Sequence, residues 1–173
     1  NFEAGKAYRL AANMASEEEC PTVINVVTAG TFESLIRAAY GSSGLYKLKT
    51  LKVTGKLNGS DIRFLRKMAG RNEDGSTHSS GKNLIHLDLT EANIVSGGDY
   101  YYMPKSGTKY YTENNVAGDY MFYFCNLETI KFPSTVTKLG YAVCSHLPKP
   151  DGNENVGDGY IGTFTSITIP IGV

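Results

Sequence analysis

The sequence predicts an α/β fold: a short, irregular solenoid of parallel strands preceded by an N-terminal strand–helix cap. Three observations predict it. One apolar-x-x-apolar-x-apolar pattern recurs four times, as Leu48-x-x-Leu51-x-Val53, Leu84-x-x-Leu87-x-Leu89, Leu127-x-x-Ile130-x-Phe132 and Phe164-x-x-Ile167-x-Ile169. Two stretches near the start carry apolar residues at helical spacing. Nineteen glycines supply the many turns that such a chain needs. Units of this kind bury their apolar face only by stacking on the next unit.

The elements follow in order. Residues 1–19 are rich in Ala and Glu, which fits a short helix or a poorly ordered tail. Pro21 stops it, and the β-branched run 22–28 reads as a strand. Thr31 is placed to cap a helix from Phe32, in which Phe32, Leu35, Ile36 and Ala39 share one face and Gly41 ends the run. Residues 1–47 thus form a tail and cap.

The repeat region, 48–173, opens with a strand at 50–54. Ser60 is placed to cap a helix in which Ile62, Leu65, Met68 and Ala69 share a face before Gly70. A polar loop at 71–81 leads to the second strand, 86–90. An insertion at about 97–115 follows, with Tyr100, Tyr101, Tyr102, Tyr110 and Tyr111. Two related blocks come next. Gly118, Tyr120, Phe122, Cys125 and Leu127 match Gly140, Tyr141, Val143, Cys144 and Leu147 in order. A second insertion, about 148–162, precedes the last strand. The middle apolar positions 51, 87, 130 and 167 are 36, 43 and 37 residues apart. All three spacings exceed the roughly 20–29 residues of an uninterrupted leucine-rich repeat, and the insertions account for part of the excess.

Composition narrows the functional classes. Seventeen basic and seventeen acidic residues balance, so no electrostatic footprint for nucleic acid or an anionic membrane is expected. No stretch approaches the ~20 apolar residues of a membrane helix. The opening Asn1-Phe-Glu-Ala-Gly shows no signal-peptide pattern, which fits a processed end or an internal starting point. The last strand pattern would need covering by further chain or another segment. Three cysteines, Cys20, Cys125 and Cys144, argue against a fully paired disulfide framework. Cys125 and Cys144 read as small apolar residues at repeat positions, and a bond between them stays open provided their Cα atoms lie within roughly 7 Å.

The stretch Leu127-Glu-Thr-Ile130-Lys-Phe132-Pro133-Ser-Thr-Val136-Thr-Lys-Leu139-Gly140-Tyr-Ala142-Val143-Cys144 resembles the repeat of BspA-like leucine-rich repeat proteins of the Bacteroides type. It departs in having Val143 where that repeat has Phe, and in lacking one residue after Gly140. Ile167-Thr-Ile169-Pro170 is a second, partial match. Residues 29–31 and 57–62 are similar to the cap region that precedes such repeats. The resemblance implies a secreted or cell-surface protein, outer-membrane attached, that binds host proteins, matrix components or other surfaces. It implies no residue-level site. Cys20 lies too far inside to carry a lipid anchor in this numbering.

Alternation along the strands puts Thr50, Lys52, Thr54, His86, Asp88, Thr90, Thr129, Lys131, Ser166 and Thr168 on one outward face. That face is either a binding surface or an ordinary solvated sheet face. The tyrosines Tyr100, Tyr101, Tyr102, Tyr110 and Tyr111, near Lys105 and Lys109, are either a recognition loop, suited to proteins or to stacking on sugars, or rings folded back over the fold. The expected partner is accordingly an unknown protein or a glycan at the cell surface. A spacer that merely displays further repeats is the structural alternative.

His86 and Asp88, two residues apart on one strand face, are a conceivable acid–base pair with no nucleophile motif beside them. Residues 151–162 resemble a calcium loop in composition. They place Val156 and Gly162 where such a loop needs Gly and Glu, so a plain turn is expected. The run Glu17-Glu18-Glu19-Cys20 reads as solvated charge. The sequence therefore assigns no catalytic residue, metal or cofactor.

Overall fold

A computed structural model describes residues 22–81, 83–145, 165–171 and 173. The tail at 1–19, Cys20, His146, Leu147, Phe164 and the calcium-like stretch all lie outside the described residues.

The architecture is mixed α/β with a mostly parallel sheet. Its elements are β1 (Thr22–Val26), α1 (Phe32–Gly44), a 3₁₀ turn (Leu45–Lys47), β2 (Thr50–Leu57), α2 (Gly59–Met68), β3 (His86–Asp88), β4 (Ala92–Ile94), β5 (Val116–Ala117), β6 (Thr129–Lys131), β7 (Lys138–Leu139) and β8 (Ser166–Thr168). The larger sheet runs β1-β2-β3-β6-β8, with β4 continuing beside β2. The smaller sheet is β5-β7, and every pairing in both sheets is parallel.

The register is the feature that alternation and the repeated pattern demand. Leu51 lies beside Leu87, Leu87 beside Ile130, and Ile130 beside Ile167. The middle residues of all four copies therefore form one row across the sheet. Leu51, Leu87 and Ile130 are buried, as are their strand neighbours Val53, Leu89 and Phe132, whereas Ile167 and Ile169 of the fourth copy, at the edge strand, are exposed rather than turned into the core as the pattern predicts. A one-residue slip would turn this row outward, which is why the register is strongly specified. Between β3 and β4 the chain holds one more residue than β2 does opposite, since Lys52 pairs Asp88 but Gly55 pairs Ala92. Gly55 has φ of 87°, and a Cβ there would sit 2.2 Å from the Val26 carbonyl oxygen of β1. Only glycine allows the strands to approach this closely.

The helix ends differ from the expected caps. The Thr31 side chain makes no capping bond to α1; its hydroxyl donates back to the Thr28 carbonyl at 2.7 Å. Asp61, buried in the first turn of α2, takes that role across the fold. It accepts from the Gly30 amide at 2.6 Å and from the Phe32 amide at 3.0 Å. The same carboxylate accepts from the Asn58 amide at 2.9 Å, while the Asn58 side chain accepts from Ser60 and Asp61. Asn58, not Ser60, is therefore the cap of α2, in a reciprocal capping box. One carboxylate joins two helix N-termini, where backbone N–H groups and the helix dipole both favour negative charge.

The helices also bury different surfaces from those expected. In α1 only Phe32 and Ile36 are buried, whereas Leu35 and Ala39 are exposed, because the helix rests on the rest of the fold along a narrow stripe. Gly41, at φ 69°, breaks the helix where the sequence places its end. In α2 the expected face of Ile62, Leu65, Met68 and Ala69 is buried, and so are Asp61, Phe64 and Arg66. This helix sits inside the molecule, covered by the tyrosine insertion. Among the described residues, no helix is long and apolar enough to cross a membrane.

Candidate functional site

Two places gather the residues singled out by sequence. The first is the outer face of the larger sheet. Parallel pairing sets Thr50, His86, Thr129 and Ser166 in one row, and Lys52, Asp88, Lys131 and Thr168 in the next. His86 Nδ1 lies 2.9 Å from Thr129 Oγ1. Asp88 accepts from the Thr90 amide at 2.9 Å, from the Thr90 hydroxyl and from Lys131 Nζ at 3.1 Å. Lys52 pairs with Glu91 rather than with Asp88 beside it. Partial burial would raise the Asp88 carboxyl. The Thr90 hydrogen bonds and the Lys131 ammonium outweigh that and hold it below the ordinary carboxylate range. His86 and Asp88 share the face, yet their hydrogen bonds run to other neighbours.

The second place is the tyrosine insertion, and here the structure corrects one of the two readings left open. The insertion folds back as a hairpin. The Tyr101 amide donates to the Tyr110 carbonyl, and the Tyr110 amide to the Tyr102 carbonyl, both at 2.9 Å. Tyr101 and Tyr102 are buried, so neither ring is offered to a partner. Tyr102 stacks on Tyr110 with ring centroids 5.9 Å apart and also contacts the rings of Tyr120 and Tyr123. Beneath it lies the Arg66 guanidinium, 4.8 Å from the ring centre. Arg66 is fully buried, and its Nη1 donates to the carbonyls of Tyr120 and Met121 at 2.9 Å each. Apolar packing and a desolvated cation–π contact therefore tie the hairpin to α2.

Tyr100 stays half-buried. Arg63 lies 4.7 Å over its ring and Lys109 lies 5.0 Å from its centre. Arg63 also bonds the Tyr100 carbonyl at 3.0 Å and Asp99 at 2.8 Å. Of the five tyrosines, Tyr111 is the open one, 52% exposed, with Tyr100 at its edge.

Between the hairpin and the β5-β7 sheet is a cleft of about 290 Å³. Tyr101, Tyr110, Tyr111 and Lys109 line it from the hairpin, Glu113 and Asp119 from the connecting segments, and Lys138 from β7. The Tyr101 hydroxyl donates to the Asp119 carbonyl at 2.8 Å, and burial pushes that phenol far above its ordinary pKa, with Asp119 adding to the effect. Gly118 leaves room for the Tyr101 hydroxyl, because a Cβ there would stand 2.5 Å from it and force that ring to shift. Sequence reasoning missed Glu113, Asp119 and Lys138. They come from separate stretches, and the one available signal was the matched pair of glycines at 118 and 140.

No disulfide joins Cys125 and Cys144. Burial pushes both up, Cys144 to about 11 with Cys125 adding to the effect. Neither is therefore a ready nucleophile at neutral pH. Among the described residues, no group of three or more His, Cys, Asp or Glu is placed to hold a metal ion. Neither a scan against protein-family models nor a search of curated proteins found a match to this chain.

Proposed function

We propose that this chain is a non-catalytic binding module of a secreted or cell-surface protein. In this reading it is a leucine-rich repeat solenoid of the BspA-like type that meets a protein partner across the polar face of its larger sheet. The observation that carries the reading is the lateral register, which sets two continuous rows of polar side chains across β2, β3, β6 and β8. A pleated sheet of this kind offers a broad, pre-organised surface whose side chains need little ordering on contact.

Stacking of two successive units supports the solenoid part. Val116 pairs Lys138 and Ala117 pairs Leu139, an offset of 22 residues. The Tyr120 amide then bonds the Tyr141 carbonyl, and the Phe122 amide the Val143 carbonyl, an offset of 21. Both offsets fall within the roughly 20–29 residues of a leucine-rich repeat. The residue missing after Gly140 is Asp119's counterpart. The non-catalytic part is supported by the separate engagements of His86 and Asp88 and by the protonated thiols.

The test is a solid-phase screen of the purified chain against extracellular-matrix proteins, with a K52S/H86A/K131S variant beside the wild type. Saturable binding that falls at least tenfold in the variant, with the melting temperature lowered by no more than a few degrees, is expected. No saturable partner, or a variant that binds like wild type, would overturn the reading in favour of a spacer.

A further inference from the structure

We propose that the cleft beside the tyrosine hairpin is a carbohydrate subsite that takes one neutral sugar residue of a glycan. This goes beyond the strand-face reading and fails independently of it, since the cleft and the sheet face use different residues.

Size comes first. About 290 Å³ lies just under the roughly 300–1,000 Å³ of small-molecule sites, enough for a ring-sized ligand and too little for an extended peptide. The wall comes next. Tyr111, half exposed, brings an aromatic ring to the cleft, and Tyr110 beside it is held in the ring cluster by Tyr102 and Tyr120. Aromatic faces suit the C–H side of a sugar ring, which is apolar while its rim is hydroxylated.

Charge is the deciding feature. The cleft carries Glu113 and Asp119 against Lys109 and Lys138, two of each sign. None of the four belongs to an ion pair among the described residues. Asp119 Oδ1 accepts from the Tyr141 amide at 2.7 Å; among the described residues neither Asp119 Oδ2 nor the Glu113 carboxylate has a hydrogen-bond partner. A polyanion would meet the two carboxylates and a polycation the two ammoniums, each at a cost. A polyol meets neither conflict. Each hydroxyl donates to a carboxylate or accepts from an ammonium, so one sugar residue satisfies both kinds of group.

One of the four charged groups is also fixed before any ligand arrives. Asp119 is held at its carbonyl by Tyr101 and at its carboxylate by the Tyr141 backbone, so this side chain needs little ordering on binding.

The experiment is a glycan array with the purified chain, followed by calorimetric titration of the free sugar from the strongest neutral hit. Tyr111→Ala and Glu113→Gln are the test variants, both at exposed positions. Glu33→Gln, exposed on α1 away from both surfaces, is the control. Binding that drops at least tenfold in Y111A and E113Q, and stays within twofold of wild type in E33Q, is the expected result. No saturable neutral glycan overturns the proposal, as does binding that survives both cleft variants. Binding confined to anionic glycans, lost in K109A/K138A and kept in E113Q, would overturn it by showing an anion site instead.

Discussion

The outer face of the larger sheet and the tyrosine hairpin are both rich in residues suited to recognition, yet the fold treats them oppositely. On the sheet, alternate residues of β2, β3 and β6 point outward, and each remains at least partly exposed. In the hairpin, the adjacent residues Tyr101 and Tyr102 are both buried, while Tyr111 of the same insertion is open. A strand's pleat forces successive side chains to opposite faces, so periodicity alone sorts them. A long insertion has no such period, and its rings go where apolar area and polar partners are found. For Tyr102 those are the Arg66 guanidinium and the rings of Tyr110, Tyr120 and Tyr123.

The sharpest way to break this comparison is Tyr102→Ala. It removes a fully buried ring from the hairpin, and a loss of about 3–5 kcal/mol is expected in urea unfolding. A loss under about 1 kcal/mol would mean that the hairpin is not anchored there. Arg66→Met comes next, because it keeps most of the stem and removes the guanidinium. The Tyr120 and Met121 carbonyls lose their buried donor, and destabilisation of about 1–3 kcal/mol is expected in the same assay. Its Nε and Nη2 have no hydrogen-bond partner among the described residues. A net gain in stability would therefore show that desolvating the charge outweighs what it holds.

The sheet face should respond far less. Lys131→Ala removes a half-exposed ion pair with Asp88, and less than about 1 kcal/mol is expected at pH 7. The pH dependence carries a sign. Asp88 has a folded pKa below its unfolded value of about 4. Its contribution is thus present above that value and is lost as pH falls through the folded one. The gap between wild type and K131A should narrow when melting is repeated near pH 3; a gap that widens would contradict the pairing. Smallest of all is Tyr111→Ala, expected within about 0.5 kcal/mol of wild type by thermal melting. A larger loss would place Tyr111 with Tyr102 among the packing residues.

Legibility followed the same division. The apolar pattern specified which residues lie side by side in the sheet, because a register slip would expose the buried middle residues Leu51, Leu87 and Ile130 of its first three copies. The end of α1 at Gly41 was legible from conformational freedom, and the inner face of α2 from its period. The caps were legible only as local chemistry. Thr31 and Ser60 both suit the position, but the bond that forms at α1 comes from Asp61, 29 residues from Phe32. The face of α1 was misread at Leu35 and Ala39, since a helix period shows which residues align but not how wide a stripe the neighbours cover.

What the sequence by itself determined is therefore the α/β character, the parallel strand rows and the polar outer face, all consequences of short-range geometry repeated along the chain. Only the tertiary structure decided which tyrosines are buried, that one carboxylate serves two helices, and that Lys109, Glu113, Asp119 and Lys138 line a common cleft. Those outcomes depend on contacts between segments tens of residues apart, where no local period constrains the approach and desolvation and packing choose the partners.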